Sequence, residues 1–261
     1  MSNELSPTDE LQAQVVQLGA RDLNTARAAQ TALASRGEAG IAVVIWGLSH
    51  PNVRVRRGCA GFLDHHGTDA CFEPLRQVAL YDPAPSVRRM AVHSASCQEC
   101  KQCPLTGDLV GLLIEVALSD TNRRIRLNAL WGLYQPQDAR AVAALESILH
   151  DADPQLQLDA YYALLSQDPS YQGDPVGVHV QVALSSAHKS VRLKALLGLR
   201  RLPQDTRARA ALEQILRTEA DPRLQSYAHH ALKHQDPSYK AAFDAQARER
   251  GIAAARTRKE C

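Results

Sequence analysis

Apolar residues return along this chain at the spacing of one helical face, and a short phrase built on them recurs every thirty-odd residues. It reads apolar, Arg or Gln, two variable positions, a small residue, three variable positions, apolar. The central small residue is Ala29, Cys59, Ala91, Ala129, Ala160, Ala195 and then Ala228, in steps of 30, 32, 38, 31, 35 and 33 residues. Val55-Arg56, Val87-Arg88, Ile125-Arg126, Leu156-Gln157, Val191-Arg192 and Leu224-Gln225 precede it, and Leu63, Leu133, Leu164, Leu199 and Leu232 close the same face. Apolar side chains at i, i+4 and i+8 make one stripe of an amphipathic helix. A second apolar run stands before each phrase, as in Leu109 to Leu118 and Leu212 to Leu216, so the repeated unit is a helix pair. Asp82-Pro83, Asp153-Pro154 and Asp221-Pro222 mark the junctions, where Asp caps free N–H groups and Pro suits a first helical turn.

The periodicity contains a larger one. Residues 121–187 are copied by residues 188–254: Pro136-Gln137-Asp138 returns as Pro203-Gln204-Asp205, and the run Asp138 to Leu149 matches Asp205 to Leu216 at nine of twelve positions. Asp153-Pro154 returns as Asp221-Pro222, and Gln167-Asp168-Pro169-Ser170-Tyr171 returns unchanged as Gln235-Asp236-Pro237-Ser238-Tyr239. Self-similarity at fixed spacing marks an architecture in which each unit buries its apolar face only against its neighbours.

The phrase resembles the HEAT repeat, and most closely the phycobilisome-lyase type of HEAT-like repeat. The resemblance spans roughly residues 20–250. It implies an all-α solenoid of about seven helix pairs wound as a right-handed superhelix, with a concave face lined by the second helix of each pair. The expected organisation is an N-terminal cap over 1–20, one solenoid over 21–254, and a basic tail over 255–261.

Composition sets the scene for chemistry. With 45% hydrophobic but only 5% aromatic residues, Ala and Leu carry the packing. No run of about 18 apolar residues could cross a membrane, and the polar, acidic first ten residues do not read as a signal peptide. The expected setting is the cytoplasm, where six cysteines read as thiols or ligands rather than disulfides. Net charge is +2, yet Arg supplies 24 of the 30 basic residues. Arg56, Arg88, Arg126 and Arg192 share one repeat position, where the resemblance implies pairing with acids or carbonyls of the adjoining turn. The alternative is a basic stripe along a nucleic-acid backbone, supported by Arg54-Val55-Arg56-Arg57 and Arg123-Arg124-Ile125-Arg126.

Candidate chemistry gathers where the step lengthens to 38 residues. The insertion contains Cys97-Gln98-Glu99-Cys100-Lys101-Gln102-Cys103-Pro104, and His93 stands one helical turn before Cys97. Subtracting the local repeat step of 32 from Cys97 lands on His65, within Asp64-His65-His66-Gly67. A zinc site of His65, His93, Cys97 and Cys100 is therefore expected, with His66, Cys71 and Cys103 as alternates and Asp64 as a supporting partner. Two readings compete with it. Cys97, Cys100 and Cys103 resemble part of an iron-sulfur cluster motif, and buried thiols can also serve as small hydrophobes without metal.

Trp131, Tyr161, Tyr162, His229 and His230 are expected to line the groove and to suit a peptide or a base. His230 and His234 have metal-pair spacing, but their copies are Tyr162 and Ser166, which favours a surface role. No His-Glu pair, His-Glu-x-x-His, Gly-rich phosphate loop or nucleophile elbow occurs. The sequence thus favours a non-enzymatic scaffold for a protein or peptide. A DNA-binding or DNA-repair protein, an iron-sulfur redox protein and a bilin lyase-like protein stand as alternatives.

Overall fold

The structure, a computed structural model, describes residues 7–97, 99–100, 105–134, 138–167 and 173–257. Cys103, Pro136-Gln137, the Asp168 to Tyr171 block, residues 1–6 of the expected cap and residues 258–261 of the basic tail lie outside them. Among the described residues the secondary structure is fifteen α-helices and one 3-10 turn, with no strand. In chain order they are α1 (Pro7–Gln17) with α2 (Leu23–Ala34), α3 (Glu38–Gly47) with α4 (Val53–His66), and α5 (Phe72–Tyr81) with α6 (Pro85–Ser96). Next come α7 (Leu109–Ser119) with α8 (Arg123–Gly132), α9 (Ala139–Ile148) with α10 (Pro154–Gln167), and α11 (Pro175–Ser185) with α12 (Lys189–Arg201). The series ends with α13 (Thr206–Thr218), α14 (Pro222–Gln235) and a longer α15 (Pro237–Thr257), while the 3-10 turn Asp69–Cys71 leads into α5.

Each repeated phrase falls on an even-numbered helix. The small residues Ala29, Cys59, Ala91, Ala129, Ala160, Ala195 and Ala228 are all buried to 1% exposure or less. A small side chain there lets the neighbouring helix approach closely, which the Leu residues on either side then seal. The chain divides into two compact units, 1–144 and 145–261. Leu63, Leu75, Leu112, Leu113, Ile125 and Leu130 centre the first core, and Leu196, Leu199, Leu212, Ile215 and Leu232 the second. Each such side chain contributes on the order of 2 kcal/mol by leaving water.

Helix starts follow the expected capping chemistry with one shift. Asp221 caps α14 by accepting from the N–H groups of Arg223 and Leu224 ahead of Pro222, and Asn52 and Asn122 cap α4 and α8. Asp82 does something else. It ends α5, accepts from the Ala84 N–H at 2.8 Å, and leaves Pro85 rather than Pro83 to open α6.

The Asp82 carboxylate is occupied by the ladder of repeat arginines. Arg56 grips it through Nε at 2.6 Å and Nη2 at 2.9 Å, and its Nη1 donates to the carbonyls of His50 and Pro51. Arg88 grips Asp120 in the same way at 2.8 and 2.9 Å and donates to the Asp82 carbonyl. Arg192 donates to the Ala183 carbonyl and pairs with Glu219, and Arg126 donates to the Ala117 carbonyl. These four arginines are therefore bound to helix ends and the turns that follow them, which removes them from any basic stripe.

The copied region begins earlier than residue 121. Gly107-Asp108-Leu109-Val110-Gly111 has its counterpart in Gly173-Asp174-Pro175-Val176-Gly177, and residues 107–120 match 173–186 at eight of fourteen positions. The structure shows why this motif is kept. Asp108 accepts from the Gly111 N–H, and Asp174 from the Gly177 N–H, at the starts of α7 and α11. Arg140 clasps Asp108 and Asp138 in the first unit, and Arg207 clasps Asp174 and Asp205 in the second.

Candidate metal centre

Asp64 lies on the last turns of α4, between Leu63 and the exposed His65. The fold buries it to 6% exposure, an unusual place for a carboxylate. The neighbouring α6 is held in register by a buried hydrogen bond from Ser94 Oγ to the Ala60 carbonyl at 2.8 Å. That registration sets His93 against Asp64, with Nε2 3.4 Å from Oδ2. Cys97 ends α6, its N–H donating to the His93 carbonyl at 2.8 Å, so thiol and imidazole share one face across a single turn. Cys100 returns from the insertion to the same point. One ligating atom from each of Asp64, His93, Cys97 and Cys100 lies within 4.8 Å of the others.

The electrostatics of this group are those of crowded anions. The Cys100 thiol is pushed up to about 12, first by its hydrogen bond with Cys97, then by loss of water, and then by the negative charge of Asp64. A divalent cation inverts that balance, because it favours thiolate and carboxylate together. Zinc ligand distances of roughly 2.0–2.3 Å place tetrahedral ligands about 3.3–3.8 Å apart. The His93–Asp64 pair already stands at 3.4 Å.

His65 stands outside this group of four. Its side chain is 59% exposed, with Nε2 3.7 Å from Asp64 Oδ2. The subtraction that selected it assumes two equivalent helical positions. Cys97, however, has left the helix with ψ near 113°, whereas α4 continues to His66. His66 packs on the Phe62 ring with centroids 4.6 Å apart, and Cys71 is fully buried. Cys59 is buried too, which pushes its thiol up to about 12, in keeping with a packing role.

The insertion returns to the fold at two further points. The Thr106 N–H donates to Asp69 Oδ1 at 2.8 Å, and Gly107 sits so close to Phe72 that a Cβ would come within 2.0 Å of the ring.

The expected groove lining divides. Trp131 is 56% exposed on α8, and His230 is exposed on α14. Tyr161 is buried to 5% and packs edge-on against His179, which also takes a hydrogen bond from the Tyr162 hydroxyl at 3.1 Å. His229 stacks on Tyr239 and packs against Phe243, docking α15 on α14. Tyr161 and His229 are thus internal packing residues. Their alternation with apolar neighbours resembles a lining in sequence, but α11 and α15 cover them.

Residues 72–165 match the family model for HEAT repeats. No curated protein matches the sequence. Among solved structures, YibA of Escherichia coli aligns with a TM-score of 0.53 at 16% identity, over 89% of this chain and 99% of that one. An archaeal HEAT-like repeats protein from Thermococcus onnurineus NA1 aligns with a TM-score of 0.52 at 11% identity, over 90% and 99%. Similarity at this level concerns the fold. The repeat phrase, its buried small residues, the matched segment and these two neighbours agree, and the chain has a HEAT-like helical-repeat fold.

Proposed function

We propose that this chain is an interaction scaffold that binds a protein or peptide on the exposed face of its second helices. In this reading zinc at Asp64, His93, Cys97 and Cys100 fixes the insertion beside that face. The observation that carries the reading is a register position. Two residues after each buried small residue stand Thr31, Gly61, His93 and Trp131 in the first unit, and Tyr162, Leu197 and His230 in the second. All are exposed or half-buried, and Trp131 and Leu197 are large apolar side chains at 56% and 38% exposure. Exposed apolar side chains at this position, Trp131 and Leu197, suit a contact surface, and Trp is an energetic anchor in such surfaces.

Zinc fits the donor set because two thiolates, an imidazole and a carboxylate satisfy a closed tetrahedral ion. With all four positions filled by protein, the ion holds structure rather than activating water. Metal content of protein purified without chelators tests this directly. Stoichiometric zinc is expected, lost in Cys97→Ser, His93→Ala and Asp64→Asn but kept in His65→Ala; absence of stoichiometric metal overturns the site. For the scaffold, a partner retained by the unaltered protein should be lost on Trp131→Ala with the helical spectrum unchanged. Equal retention overturns the surface.

A further inference from the structure

A cavity of about 530 Å³ lies in the first unit between the turn before α2, the exposed side of α2 and the exposed side of α4, with Met90 of α6 at its edge. Arg21, Arg54 and Arg57 line it, and no acidic side chain does. Among the described residues none of the three has a carboxylate partner. Elsewhere in the unit Arg36 pairs with Glu10, Arg76 with Glu115, and Arg140 with Asp108. The contrast is sharpest at Arg56, which lies between Arg54 and Arg57 in sequence and is bidentate on Asp82.

A guanidinium carries its charge at every physiological pH. Three of them converging on one cleft repel one another, and an anion relieves that repulsion. Gly58 and Gly61 line the cleft where other second helices carry side chains, and a Cβ at Gly61 would meet only Met90, at 3.8 Å. The floor is therefore open at Gly61, while Gly58 is closed by the Leu18 backbone, 2.4 Å from where its Cβ would stand. Leu23, 69% exposed, and Met90 supply an apolar contact among the cations. No Phe, Tyr or Trp lines the cleft, and its one ring is the His65 imidazole, so it offers a poor stacking platform for successive bases.

We propose that this cleft binds an acidic peptide segment of the partner, with carboxylates on Arg21, Arg54 and Arg57 and one apolar side chain between Leu23 and Met90. Arg forms bidentate pairs with planar carboxylates, and three such pairs fix both register and direction of an extended chain. The proposal rests on the scaffold reading and adds the partner's chemistry.

A fluorescently labelled nonapeptide of Glu and Asp around a single Leu tests it by polarisation, with the matching Lys peptide and an oligothymidylate of equal charge as comparisons. The acidic peptide should bind, weaken about tenfold or more in Arg54→Glu/Arg57→Glu, a loss of about 1.4 kcal/mol or more, and weaken several-fold as salt rises from roughly 50 to 200 mM. Arg21→Ala should weaken it to a lesser degree, and replacing the peptide Leu by Ser should also cost affinity. Unchanged binding by the charge-reversed protein overturns the cleft, as does tighter binding of the oligothymidylate through the same arginines. If the peptide fails while Trp131→Ala still abolishes partner retention, the acidic chemistry alone is overturned.

Discussion

Arg56 and Arg140 make the same kind of fork onto a carboxylate, yet the two differ in what surrounds them. Arg56 and Asp82 are buried side chains at 10% and 4% exposure, whereas Arg140 and Asp108 are at 56% and 58%. Removing one partner of a buried pair strands the other charge and costs about 3–5 kcal/mol. An exposed pair contributes about 0–1 kcal/mol. Urea unfolding should therefore show Arg56→Ala several kcal/mol less stable and Arg140→Ala close to unaltered. Equal losses would mean that the ladder is not the inter-repeat fastening described above. His179 offers a second residue-scale expectation. Its Nδ1 faces the Pro175 carbonyl at 2.7 Å, so Nδ1 bears the proton and Nε2 accepts from Tyr162. Burial holds this imidazole below its ordinary value, against an opposing pull from the Pro175 carbonyl. With the folded value below the unfolded one, the unfolded chain binds the proton more readily. The stabilisation is complete above roughly pH 6.5 and is lost as pH falls through the folded value. Unfolding free energy measured from about pH 7 to pH 5 should fall, and fall less steeply in His179→Leu. Gly198→Ala, whose Cβ would meet the His179 ring at 2.0 Å, should cost about 1–3 kcal/mol by overpacking.

At the scale of helices, most of the fold could be read from spacing. The small residue of each phrase lies at the centre of an even helix because close approach of neighbouring helices excludes larger side chains there. The meeting of His93, Cys97 and Cys100 was legible for a related reason, since one helical turn and a short loop fix where three side chains can meet. The place of Asp64 beside them was not. Asp64 and His65 differ by about 100° around α4, and only the way α6 ends at Ser96 decides which of them faces the cysteines. The internal hydrogen bond of Ser94, which sets that registration, has no pattern in sequence to announce it. With zinc bound, thiol reagents should fail to reach Cys97 and Cys100. Chelation should make both thiols reactive and lower the melting temperature, while Cys59 and Cys71 stay protected in the folded core. Equal thiol reactivity before and after chelation would overturn the metal site.

For the molecule as a whole, charge is distributed by pairing rather than by sign. A net charge of +2 hides a first unit in which Arg56, Arg88 and Arg126 are tied to neighbouring backbone and carboxylates while Arg21, Arg54 and Arg57 share one cleft. The sequence offered a basic stripe as the alternative to pairing at the turns and expected a polar-aromatic groove. Arg56 and Arg88 are buried in such pairs and α11 covers Tyr161, whereas Trp131 and His230 stay exposed. Neither effect is visible in a linear pattern, because both depend on which surface the next repeat covers.

The paired turns at Gly107-Asp108 and Gly173-Asp174 carry one more consequence. They are equivalent joints, so the chain can be shortened there at one main cost, because Ser186 would stand where Asp120 now holds Arg88. Excising residues 107–172 would join Thr106 to Gly173, setting Gly173 where Gly107 now rests on Phe72 and leaving Asp174 and Arg207 to rebuild the clasp. Such a shortened chain should still unfold cooperatively in urea.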